Sequence, residues 1–188
     1  MKNINKNLIA ALVLMIVTTA LYRVIPGRPY GFAPQIAVAI FSGSIFINNK
    51  RIAFLLPLLS MLISDGFYQL LYLNGWAEIP GFYSGQWENY LLFVGLTCFG
   101  FLVQSNRIMS IFSVSLITPS AYFLVSNTMV WLFGGGYNRP QNANGFITCL
   151  ADGIPFYKNS LFATLIFSTI LFGSMAIFSR LVNRSKAV

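Results

Sequence analysis

The sequence predicts an all-α integral membrane protein, a bundle of about six transmembrane helices with both termini in the cytoplasm. Three observations predict it. Only 9% of the 188 residues are charged and 56% are apolar, whereas a soluble domain carries about 25% charged residues. Long apolar runs recur from end to end and lift the mean hydropathy to +0.70; each is near the roughly 20 residues that cross about 30 Å of hydrocarbon. The 12 Lys and Arg residues stand singly or in pairs at the ends of these runs, the pattern that orients a membrane protein and attracts anionic headgroups.

Taken in order, the first span covers about 8–25, behind Lys2 and Lys6, and stops at Pro26-Gly27. Its basic start, with Thr18 and Ala20 near its end, also resembles a signal peptide; five further spans favour reading it as a retained first span. The second, about 33–47, has Pro34 in its opening turn, where a missing N–H costs little. After the turn Asn48-Asn49-Lys50-Arg51, the third covers about 52–73, with Pro57 expected to kink it. Residues 74–89 form a loop carrying Trp76, Trp87, Glu78 and Glu88.

The fourth span, about 90–103, is short. The fifth runs over about 108–133, with Pro119 near its middle, and Gly134-Gly135-Gly136 ends it. A second loop, 134–159, is rich in Asn, Gly and Pro, and the sixth span is about 160–181. With no internal repeat, residues 1–188 read as a single membrane domain.

Orientation follows from the basic residues near the span ends. With the N-terminus inside, Lys2, Lys6, Lys50, Arg51, Arg107, Arg180, Arg184 and Lys186 are cytoplasmic, and Arg23, Arg28, Arg139 and Lys158 fall on the outer side. The acidic residues Asp65, Glu78, Glu88 and Asp152 all fall in the outer half. Both long loops then face outward, and the expected location is the bacterial cytoplasmic membrane.

Asp65 is the most informative residue. It lies about 20 Å along the third span from the inner surface, where a carboxylate costs several kcal/mol unless it is paired or in a wet cavity. Arg23 lies at a similar depth and is its expected partner. Met61, Tyr68 and Tyr72 share the stripe of Asp65, with Gln69 beside it at i+4. On the fifth span Ser120, Asn127 and Trp131 form a second polar stripe, and an intramembrane Asn needs a hydrogen-bond partner. The candidate ligand site is therefore Arg23, Asp65, Tyr68, Gln69, Trp76, Asn127, Trp131, Tyr137 and Asp152, lying between the third and fifth spans beneath both outer loops. A packed helix seam under an interfacial aromatic belt is the competing reading.

Several classes are excluded. A net charge of +8 without a basic run interleaved with aromatics does not describe a nucleic-acid surface. With no histidine, and with Cys98 and Cys149 in different segments, no metal site or cofactor is expected and two free thiols are. There is no P-loop and no G-x-S-x-G elbow, so neither ATP hydrolysis nor another enzyme activity is indicated. Ala39 and Gly43 make one small-xxx-small face suited to close helix packing.

Arg23-x-x-Pro26, the segment Phe32-Ala33-Pro34 to Gly43, the run from Pro57 to Asp65, Ser126-Asn127-Thr128-x-x-Trp131 and the stretch Cys149 to Asn159 together resemble a family of small bacterial membrane proteins labelled as transport proteins. In size and helix layout the chain is more distantly similar to the substrate-capturing (S) subunits of energy-coupling-factor vitamin transporters. That resemblance implies a lidded, outward-facing site for a small-molecule substrate and a separate energising ATPase module as partner, beside the lipid bilayer itself. The chain departs from it in two places. It has no cysteine between Asn74 and Asn89, where the cobalamin-transporting members carry one, and no Ala-x-x-x-Ala in its first span. The expected function is transport of a small nutrient, of vitamin or vitamin-precursor class. The alternative is a membrane scaffold or assembly factor in which the polar residues only tie helices together.

Overall fold

A chain this poor in charge must satisfy its backbone N–H and C=O groups internally, and helices do so segment by segment. A computed structural model describes residues 6–25, 27–104, 107–133 and 139–185, with side chains from 15 to 180 within those ranges. Six helices form there: α1 (Lys6–Val24), α2 (Gln35–Ile45), α3 (Lys50–Leu73), α4 (Gln86–Gly100), α5 (Ile108–Phe133) and α6 (Ala143–Ser185). Three of them, α3, α5 and α6, are long and apolar enough to cross a membrane. Four threonine hydroxyls on α5 and α6 are turned back on their own helix. Thr118, Thr128, Thr164 and Thr169 each donate to the carbonyl four residues earlier at 2.7–2.8 Å, which removes the donor from contact with lipid.

The shortest helix is the centre of the bundle. Every residue of α2 from Gln35 to Ser44 is buried, and α2 packs against α3, α4, α5 and α6. A helix apolar all round belongs inside. Expected as an ordinary span, α2 has 11 residues and is about 16 Å long, so it is an enclosed post. Ile36, Ile40 and Phe41 meet Leu96, Val114 and Phe172 around it. Small residues let its neighbours close in: a Cβ on Gly100 would stand 2.3 Å from the Ile40 carbonyl oxygen, and one on Gly43 2.3 Å from that of Thr97. The small face read at Ala39 and Gly43 is thus the α2–α4 crossing. Ser42 Oγ donates to the Ala53 carbonyl at 2.5 Å and joins α2 to α3.

Around this post α1 lies along α3. Thr19 and Ser60 pair through their hydroxyls at 3.1 Å, one turn before Arg23 meets Ser64 and Asp65. α3 continues as one helix through Pro57.

One expectation is overturned. Residues 143–159, read from their Asn, Gly and Pro content as loop, are the first turns of α6, which has 43 residues. Asn142 accepts from the Gly145 N–H at 2.9 Å and starts the helix as an N-cap. The glycines serve packing: a Cβ on Gly145 would clash with the Pro140 carbonyl, and one on Gly153 would stand 2.6 Å from Asn127 Oδ1. Trp131 packs on Phe146 and Phe123 on Tyr157, so α5 and α6 zip into an antiparallel hairpin. Interior Gly costs about 1 kcal/mol per residue in an isolated helix, and this packing offsets it.

Gly100→Ala should lower the thermal stability of the detergent-solubilised protein by about 1–3 kcal/mol, the overpacking range. Gly95→Ala is the matched control on the same helix, because a Cβ there meets nothing within 4 Å. Equal behaviour of the two variants would show that the α2–α4 crossing is not tight.

Candidate functional site

All six helices contribute at one level of the bundle, where α1 and α3 approach their ends, α2 and α4 begin, and α5 and α6 pass by with Tyr122 and Ser160. The Asp65 carboxylate joins three of them. Its Oδ1 takes an ion pair from Arg23 Nη1. Its Oδ2 accepts from Gln86 Nε2 at 2.5 Å and from Tyr90 OH at 2.7 Å. Asp65 is 2% exposed, so these donors replace the water it has lost. Arg23 also donates to Ser64 Oγ at 3.2 Å, and its guanidinium lies 5.8 Å from the centroid of the Tyr68 ring, a cation–π distance. Tyr68 OH donates to the Arg23 carbonyl at 2.9 Å.

The segment 74–85 folds down onto this cluster. Gly81 touches the α3 backbone so closely that a Cβ would reach 1.9 Å from the Asp65 carbonyl oxygen, a contact only glycine permits. Gln69 Oε1 accepts from the Gly81 and Phe82 N–H groups at 3.1 and 3.2 Å. Gln86 donates to the Gly81 carbonyl at 2.9 Å and accepts from the Tyr83 N–H at 3.3 Å. Two glutamine side chains thus hold the segment shut like clasps. On the other flank the chain at 28–34 is fixed to α6, where Asn159 and Ser160 donate to the Tyr30 and Gly31 carbonyls, each at 2.9 Å.

Between these two flaps lies a cavity of about 230 Å³, walled by the Arg23–Asp65 pair, Arg28, Gln35, Tyr83, Gln86, Asn89, Tyr90, Tyr122 and Ser160, with Ala33, Ile36, Met61 and Phe93 as its apolar side. A partly enclosed space with convergent polar groups is a candidate small-molecule site. Gln35 stands out among them. It is 3% exposed, and neither its amide nitrogen nor its amide oxygen has a hydrogen-bond partner in the protein. Buried polar atoms are nearly always satisfied; Thr97, Ser115 and Ser168 also hold unpartnered hydroxyls, but among these four residues only Gln35 borders the cavity.

The sequence-predicted residues divide. Arg23 and Asp65 line the cavity, while Tyr68 and Gln69 stand behind it as supports. Trp76 is 79% exposed and touches none of this. Asn127 and Trp131 do not face α3, because α2 and α4 stand between α3 and α5. Asn127 Nδ2 donates to the Phe123 carbonyl at 2.8 Å beside Gly153, and Trp131 Nε1 donates to the Pro140 carbonyl at 3.1 Å; both belong to the α5–α6 seam. Asp152 is on α6, paired with Arg139. Tyr137 lies outside the described residues. Both cysteines are free thiols: Cys149 is buried, its Sγ donating to the Asn127 carbonyl, and Cys98 is exposed.

The chain matches, over residues 2–186, a family model described as a family of unknown function (DUF6580). The chain belongs to that family. No curated protein and no solved structure matches it.

In this DUF6580 member the residues that sequence reasoning missed are Arg28, Gln35, Gln86, Tyr90 and Tyr122. A signal was present for two of them. Gln35 opens a run of apolar residues and Gln86 stands just before another, and a polar side chain at the edge of an apolar helix needs a partner as surely as a charge does.

Asp65→Asn should cost up to about 3 kcal/mol by leaving the partly buried Arg23 without its counter-charge, read as a fall in the unfolding midpoint. Arg23→Gln in that background should add little. Fully additive losses in the double-mutant cycle would mean that the pair does not act as a unit.

Proposed function

We propose that this protein binds a small nutrient, of vitamin or vitamin-precursor class, and carries it across the bacterial cytoplasmic membrane. The observation that carries the reading is the unpartnered, buried Gln35 amide beside a partly enclosed cavity beneath a clasped flap. A helix seam serving only to hold a bundle together leaves no such space. At its middle the segment 74–85 is clasped to α3 and α4 by side-chain hydrogen bonds of Gln69 and Gln86, bonds that break and re-form cheaply enough for a lid.

In this reading the chain crosses the membrane six times with both termini inside, and the flap faces outward, as the eight-to-four division of basic residues favours. Neither the cavity nor the sequence offers a nucleotide site, so the energy comes from elsewhere, and a separate ATPase module is the partner of choice. The mechanism has no chemical step: solute enters under the raised flap, the clasps re-form, and water is excluded before the solute moves inward.

The scaffold reading has one observation in its favour, the saturation of Asp65 by protein donors. Two measurements separate the readings. Protein in nanodiscs, exposed to a bacterial metabolite extract and examined by native mass spectrometry, should carry one small molecule, and Ala33→Phe, which fills the cavity, should abolish it. Wild-type protein that emerges empty would leave the scaffold reading in possession. For orientation, cysteines introduced at Glu78 and Ala143 into a Cys98- and Cys149-free background should react with an impermeant reagent from outside, and one at Lys50 should not. Reaction at position 50 would invert the topology.

A further inference from the structure

The charges on the cavity wall do not cancel. Its charged lining residues are Arg23, Arg28 and Asp65. Asp65 is committed to Arg23 and is further held by Gln86 and Tyr90, so it has little left to offer a cation. Arg28 differs. Its Nε donates to the Arg23 carbonyl at 3.3 Å and its Nη1 to the Phe32 carbonyl at 2.5 Å, and among the described residues no carboxylate pairs with it. A guanidinium has five N–H donors in a fixed fork, and two carbonyls leave part of that fork and all of its charge uncompensated. Arg28 is only partly buried and keeps some hydration, and a bound anion supplies the counter-charge that the described carboxylates do not.

We infer that the cavity selects a small organic anion, a monocarboxylate with an apolar body and one neutral hydrogen-bonding group of amide type. Arg28 receives the carboxylate, since planar bidentate recognition suits a guanidinium. The Gln35 carboxamide, a donor and an acceptor side by side, pairs with the amide-like group. Ile36, Met61 and Phe93 cover the body between them. A volume of about 230 Å³ admits a compact molecule and excludes a macrocycle. This inference rests on the ligand-binding reading of the same cavity and adds the chemistry of what it takes.

The two recognition residues should respond oppositely to mutation. Gln35 makes no protein hydrogen bond, so Gln35→Leu removes a buried amide at no loss to the ligand-free protein, and its unfolding midpoint should stay level or rise. The stabilisation given by hippurate, a carboxylate with an apolar body and one amide, should fall. A merely structural glutamine would lose stability instead.

The test uses the full chain in nanodiscs at constant ionic strength, with thermal unfolding as readout. The probes are acetate and benzoate, their neutral counterparts acetamide and benzamide, and the cations methylammonium and benzylammonium. Benzoate should stabilise more than benzamide, and the ammonium ions should do nothing. Arg28→Gln should weaken benzoate binding about tenfold or more, the loss of one charge-assisted contact. Amides or ammonium ions that stabilise as well as carboxylates, no carboxylate effect at all, or an undiminished effect in folded Arg28→Gln would each overturn the inference. If Arg28→Gln does not fold, the probe series on wild type and on Gln35→Leu decides alone. Carboxylate binding without movement into vesicles would leave this inference standing and end the transport reading. Movement of a neutral or cationic solute would do the reverse.

Discussion

A single carboxylate organises this end of the molecule. Asp65 is withdrawn from water on α3, and its two oxygens are answered by Arg23 from α1 and by Gln86 and Tyr90 from α4. Each donor does further work. Arg23 offers its own backbone carbonyl to Tyr68 and to Arg28, and Gln86 grips the flap at Gly81 and Tyr83. Burying a charge is tolerable only when it is paired and hydrogen-bonded, so satisfying Asp65 fixes α1, α3, α4 and the flap in one arrangement. That requirement gives the cluster specificity of geometry, whatever its net contribution to stability.

The cavity follows from a second constraint, the shortness of α2. A post of 11 residues fills the middle of the bundle but stops before the longer helices around it do. The space above its first turn is closed from the sides by α3, α4, α5 and α6 and from above by two loop segments. Gln35, the first residue of α2, is left on the floor of that space. Elsewhere the bundle is sealed by small residues, Gly43 against Gly100 and Gly153 against Asn127, where backbones approach too closely for a void. These two seams are tight, while the space beside Gln35 stays open.

The pairing of Arg23 with Asp65 was legible because charge inside an apolar helix is rare and depth can be counted at a fixed rise per residue. Asn127 and Trp131 were misplaced because periodicity gives the face a residue occupies, not the neighbour that face meets. Their stripe was read toward α3, and two helices stand between. The loop reading of 143–159 failed for a related reason. Gly145, Gly153 and Pro155 are breakers in isolation, yet Gly153 is the clearance through which α6 touches α5, and Gly145 makes room for the Pro140 backbone at the start of α6.

By itself, the sequence determined the helical class, the approximate bounds of most of the helices and the presence of a buried ion pair, all of which depend on local hydropathy, on spacing and on the cost of an unpaired charge. Tertiary structure decided which helix became the central post, how far α6 extends, and which polar groups were left without partners. Those depend on how six helices fill space together. Arg28 and Gln35 acquire their meaning only there, since an unsatisfied donor or charge is a property of its surroundings and not of the residue.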